Sequence, residues 1–171
     1  MPLKIKSLEP PDSVSLNQAR GWLKLGNPHE ALFELEDITP ENQMHPEVLQ
    51  LRWEIHKRLK QWDKCIEITT SLIKAAPDEP MSWCLHAQNY HAQGDYQKAF
   101  EVLDNVLERF PNSWEIHYDL ACYCSLLGRF DSAKLRLLQA MAIGEADKIR
   151  ELAMRDPDFK PLWNETGPLE F

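Results

Sequence analysis

Apolar side chains along this chain recur at helical spacing rather than in alternation, and the runs break at regular points. In HAQGDYQKAF, residues 91–100, a glycine and an aspartate separate two such runs. The spacing predicts eight helices, near 13–25, 28–38, 46–59, 62–75, 80–93, 96–109, 114–127 and 130–142. Ile149, Leu152 and Ala153 share one face and predict a ninth, near 147–155, that would cap an open end. No segment demands a strand, so the predicted class is all-α.

The breaks fall in register. Gly26, Lys60, Gly94 and Gly128 form a column with a period of 34 residues. Two positions later stand Pro28, Trp62, Tyr96 and Phe130, and three further on Ala31, Cys65, Ala99 and Ala133. Seven positions before the break stand Ala19, Trp53, Ala87 and Ala121. These columns define four copies, 12–45, 46–79, 80–113 and 114–147, followed by a capping helix and C-terminal strap over 148–171. Small residues such as Ala87 with Ala99, and Ala121 with Ala133, let two antiparallel helices approach closely. Glycine suits the left-handed conformation that ends a helix, and Asp95 can cap the helix that follows. Asn27, Pro28 and Glu30 suggest the same device in the first copy. Pro46 and Pro80 mark helix starts, and Pro77 and Pro111 mark ends.

These columns resemble the tetratricopeptide repeat, most fully in the third copy through Trp83, Ala87, Tyr90, Gly94, Tyr96, Ala99, Leu103, Val106 and Pro111. The second copy departs most, with Trp53 for a small residue and Lys60 for glycine, which implies splayed or rotated helices there. LACYCSLLGRFDSA with AMRDPDFKPLW is also similar to the ends of small bacterial proteins of this family. The resemblance implies a right-handed α-solenoid whose first helices line a concave groove that takes a partner's peptide or helix. Carried over by register, the groove positions include Leu16, Arg20 and Lys24; Gln50 and Glu54; Met81, Cys84, Gln88 and His91; and Tyr118, Cys122 and Ser125. The first two copies offer charge there, and the last two an apolar, polarizable patch. The columns by which chaperone-binding relatives grip a terminal carboxylate hold Leu16, Arg20, Leu51, Met81 and Leu85, so that set is absent.

Composition narrows the partner. The 171 residues carry a net charge of −8, with no basic stripe to offset it, which disfavours nucleic acid. No apolar run reaches the length of a membrane span, so membrane insertion is not expected and a cytoplasmic location is. Cys65, Cys84, Cys122 and Cys124 are expected to be free thiols. His29 and Glu30 begin a zinc-protease motif, but Phe33 occupies the place of its second histidine. Cys122 and Cys124 are two apart on one helix and point to different faces, so no metal or other cofactor is expected. The reading is a non-enzymatic protein-binding scaffold, monomeric or weakly dimeric. Its alternatives are a chaperone shielding an apolar segment of a secreted client, and a self-assembling part whose residues 1–11 or 156–171 fill a neighbour's groove. Residues 1–11 are expected to be mobile, and Phe159, Leu162 and Trp163 to fold back over the last helices as an anchoring strap.

Overall fold

In the computed structural model, residues 7–167 are described, and every regular element among them is helical. Part of the expected mobile segment, residues 1–6, lies outside the described residues. The chain divides into two units, Met1–Ser82 and Trp83–Phe171.

The first unit holds two helical hairpins, α1 (Asp12–Lys24) with α2 (Pro28–Glu36), and α3 (Pro46–Arg58) with α4 (Trp62–Ala75). Leu16, Ala19 and Leu23 of α1 meet Ala31 and Leu35 of α2 and Val48, Leu51 and Ile55 of α3 in one core. A 310 turn, Pro40–Asn42, bridges the hairpins. Asp12 stands at the first position of α1 and reaches the end of the hairpin it begins. Its carboxylate accepts from the Thr39 amide at 2.9 Å and the Thr39 hydroxyl at 2.7 Å, and also from the Asn42 amide. These donors hold its pKa below the ordinary value.

The unit boundary falls inside α5 (Pro80–Ala92), whose residues from Trp83 onward belong to the second unit with α6 (Tyr96–Asp104), α7 (Trp114–Leu126), α8 (Phe130–Ile143) and α9 (Ala146–Arg155). A 310 turn, Pro157–Phe159, and α10 (Lys160–Thr166) follow. Ala87, Ala99, Ala121 and Ala133, the small residues expected at the helix crossings, all have 0% exposure. Phe159 and Leu162 join the same core.

Helix starts recur at Asp12, Pro46, Pro80 and Trp114, and again at Pro28, Trp62, Tyr96 and Phe130, so the period read from the sequence sets the element spacing. Each hairpin turns on a left-handed residue: Gly26 at φ 80°, Gly94 at 80° and Gly128 at 71°. Lys60 adopts φ 55° in the fourth such position. Its turn closes with the same hydrogen bonds as that of Gly94: Lys60 N donates to Lys57 O at 3.0 Å and Gln61 N to His56 O at 3.0 Å, against 2.9 and 3.0 Å in the other turn. The lysine therefore leaves the turn intact at the cost of a conformation L-residues disfavour.

Two local expectations differ from the structure. Asp95 caps α6 by accepting from Lys98 N at 3.1 Å, but Asn27 makes no side-chain cap, and α2 begins instead on the preset φ of Pro28. The helix expected to run to 109 ends at Asp104. Beyond it Val106 N and Leu107 N turn to the carbonyls three residues back, Leu103 O and Asp104 O, and the chain tightens into turns.

Candidate functional site

In the first unit, α1 and α3 border an open cleft of about 220 Å³. Arg20 and Lys24 line it from α1, Gln50 and Glu54 from α3, so four of the residues expected to face a groove converge there. Leu23 and Leu51 form its apolar floor, each at most 4% exposed. Arg20 pairs with Glu47 across the cleft at 3.3 Å, and Arg58 pairs with Glu54 at 3.5 Å while also donating to the Leu23 carbonyl at the end of α1. Both pairs are solvent-exposed and contribute on the order of 0–1 kcal/mol. What they fix is side-chain direction. Lys24 has no ion-pair partner among the described residues, which leaves the rim one positive charge in excess. Leu16, expected on the same surface, lies in the core at 2% exposure, one helical turn behind Arg20.

The corresponding face of the second unit is not open. The expected groove residues Cys84 and His91 of α5 and Tyr118, Cys122 and Ser125 of α7 do come together, but residues 156–159 lie over them. Tyr118 donates to Asp156 Oδ2 at 2.9 Å, and the Cys122 thiol to the same oxygen at 3.8 Å. Ser125 donates to the Asp158 carbonyl at 2.7 Å, and His91 Nε2 meets Asp158 Oδ2 at 2.9 Å. Asp156 also caps its own 310 turn, accepting from Asp158 N at 3.0 Å. Phe159 then packs edge-on against Tyr118 with ring centres 5.4 Å apart, and stacks on Trp163 at 5.6 Å. Cys84, Tyr118, Cys122 and Ser125 are consequently no more than 6% exposed. Gln88 is half-buried, and Met81, in the short piece of α5 assigned to the first unit, is 43% exposed.

The electrostatics under residues 156–159 are one-sided. The hydrogen bond and charge of Asp158, with further charge from Asp119 and Asp156, outweigh burial and raise the His91 pKa. Burial pushes the Asp119 carboxyl up to about 7, reinforced by Asp156 and Glu115, against the lowering influence of Cys84 and His91. Burial and the neighbouring carboxylates also raise Cys84, Tyr118, Cys122 and Tyr123. The thiols and phenols therefore stay protonated near neutrality, and Tyr118 and Cys122 act as donors toward Asp156, while the Tyr123 hydroxyl is buried without a hydrogen-bond partner; none of the thiols has the character of a reactive thiolate. The ligand atoms of Cys122, Asp156 and Asp158 lie within 4.8 Å of one another, but each group is already engaged by Tyr118, His91 or its own neighbours. All four cysteines are free and buried.

Glu47 and Asp119 were not singled out from the sequence. A carboxylate between Tyr118 and Leu120, at the head of the run of small, apolar and aromatic residues in α7, is a signal that could have flagged Asp119. Nothing in the sequence marks Glu47, whose place at the cleft depends on Arg20, 27 positions away.

Comparison with known proteins places this geometry. The tetratricopeptide-repeat family matches residues 90–155. No curated protein matches the chain. Among solved structures, a thermophilic tetratricopeptide-repeat protein of Thermus thermophilus shares 21% identity and a TM-score of 0.68, covering 92% of this chain and 84% of its own. MamA from Desulfovibrio magneticus shares 18% identity with a TM-score of 0.63, covering 92% of both chains. A tetratricopeptide-repeat protein of Parabacteroides merdae gives 16% identity and a TM-score of 0.71, over 91% of this chain and 59% of its own. At these identities the likeness is one of fold. Among the described residues, no helix is long and apolar enough to cross a membrane.

Proposed function

We propose that the chain is a protein–protein interaction module of the tetratricopeptide-repeat kind and holds a peptide or helix of a partner protein in the cleft between α1 and α3. The observation that carries this reading is the convergence of Arg20, Lys24, Gln50 and Glu54 on one open surface, while the equivalent residues of the second unit are covered by residues 156–159. The apolar floor of Leu23 and Leu51 would take a partner's apolar side chain. The paired arginines hold the rim in place before binding, so less conformational freedom is lost on contact. Lys24, at the rim without an ion-pair partner, favours a partner segment that carries a carboxylate beside its apolar anchor. Tetratricopeptide-repeat proteins are in general non-enzymatic scaffolds, and the contacts in the cleft are those of recognition rather than of bond making.

The test is capture of partners from a lysate by the full chain, set beside the Lys24→Glu and Gln50→Ala variants. Both positions are exposed, so the fold should persist, as circular dichroism would verify. Loss of at least about tenfold in capture for Lys24→Glu is expected, the scale of one desolvated charge contact turned repulsive. Capture equal to wild type in both variants would overturn the assignment to this cleft.

A further inference from the structure

We infer that residues 156–163 form a pH-sensitive latch over the α5–α7 face, seated in weakly acid solution and loosened as the pH rises past neutrality. The polar contacts of the latch with α5 and α7 are His91 to Asp158, Tyr118 and Cys122 to Asp156, and Ser125 to the Asp158 carbonyl, and Trp163 Nε1 donates to the Ala153 carbonyl of α9 at 3.3 Å. Its apolar ones are Phe159 and Leu162, both at 0% exposure. The charges around it do not balance. Asp156 and Asp158 on the latch itself meet Asp119 of α7, whose charge Glu115 reinforces, and the positive partner held against them is His91 of α5; Arg155 pairs with Glu151, and Lys160 is exposed. Cys84 of α5 and Tyr118, Cys122 and Tyr123 of α7 stay protonated, and the rings of Tyr96 and Tyr123 pack against His91, so none of them supplies counter-charge.

Both sensitive groups act in the same direction. His91 is raised above its ordinary value by Asp158, so its contribution is fully present below the ordinary histidine range and is lost as the pH climbs through the raised value. Asp119 is raised to about 7 from the model-compound value of 3.8, so the seated latch binds more protons than the open one across that interval, and stability falls with pH until Asp119 is ionised. Once both groups have lost their protons, a neutral imidazole faces the carboxylates of Asp158, Asp119 and Asp156. The same face that loses its counter-charge is the one on which the latch must rest, so the loosening is local to residues 156–166 and to the ring of Tyr118 beneath them.

Hydrogen exchange on the full chain, resolved by segment and corrected for intrinsic rates, tests this at about pH 5.5 and about pH 8.5. Protection of residues 156–166 should fall at least about tenfold between the two, with α3 and α4 as the internal reference. Asp119→Asn, which keeps the hydrogen bonding and removes the charge, should shrink that fall to about threefold or less. His91→Gln should bring protection at about pH 5.5 down toward the wild-type value at about pH 8.5, and Asp158→Asn should do the same from the other side of the contact. Three results would overturn the latch: protection independent of pH, a loss shared equally by the whole of residues 83–166, or a full pH response retained in Asp119→Asn.

Discussion

Replacing Phe159 by alanine asks whether residues 156–163 are part of the core or a dressing laid upon it. The ring is wholly enclosed, edge-on to Tyr118 at 5.4 Å and stacked on Trp163 at 5.6 Å. Truncating such a side chain removes its transfer free energy and leaves a cavity, together about 3–5 kcal/mol. That is a large share of the stability of any domain. At about 1.4 kcal/mol per tenfold, exchange of the amides in α7, α8 and α10 should quicken by about a hundredfold to several thousandfold. Segment-resolved hydrogen exchange on the full chain is the suitable assay, because an array of repeats need not unfold in one step and a single midpoint would blur the result. Phe33→Ala is the control: its ring is 61% exposed, and the change should stay within about 0.5 kcal/mol. A loss below about 1 kcal/mol for Phe159→Ala would refute the reasoning, since it would mean that the cavity collapses freely or that the ring is not held in solution.

Two further substitutions probe the repeat itself. Lys60→Gly should stabilise the α3–α4 hairpin by about 0.5–1 kcal/mol, because relief of the left-handed strain at φ 55° outweighs the added freedom of glycine in the unfolded chain; urea unfolding that shows no gain would contradict this. Ala99→Glu should unfold the second unit, since a carboxylate at a 0% exposed helix crossing has neither room nor partner, and a native circular dichroism spectrum with native exchange in α7 would refute it.

The helices were legible because each column of the sequence answers one geometric need: a left-handed residue at the turn, small residues at the crossing, a proline at a start. Lys60 departs from its column in residue type and still meets the need in conformation, so the turn of the second copy keeps its form. An open polar surface was legible in the first unit, where α1 and α3 leave a stripe uncovered. In the second unit the residues expected to line the same face lie under residues 156–159. Buried residues of α7 run without a gap from Leu120 to Ser125, and a helix apolar on every side is covered on every side. The covering piece was expected as a strap over the last helices, but not as a helix, because α10 has seven residues, too few for a helical period to declare itself. Ion pairs such as Arg20 with Glu47 join positions from different hairpins, and their pairing depends on rotamers that no spacing encodes.

The carboxylate of Asp12 has a consequence for the order in which the molecule comes apart. The end turns of a helix lack partners for their backbone groups, so they are where unravelling ordinarily sets in. Here the thread that leaves the opening hairpin is knotted back, through Thr39 and Asn42, onto the very residue that begins it. To peel away, that hairpin must open as a loop rather than shed its turns one at a time, and a gradual fray becomes a single event.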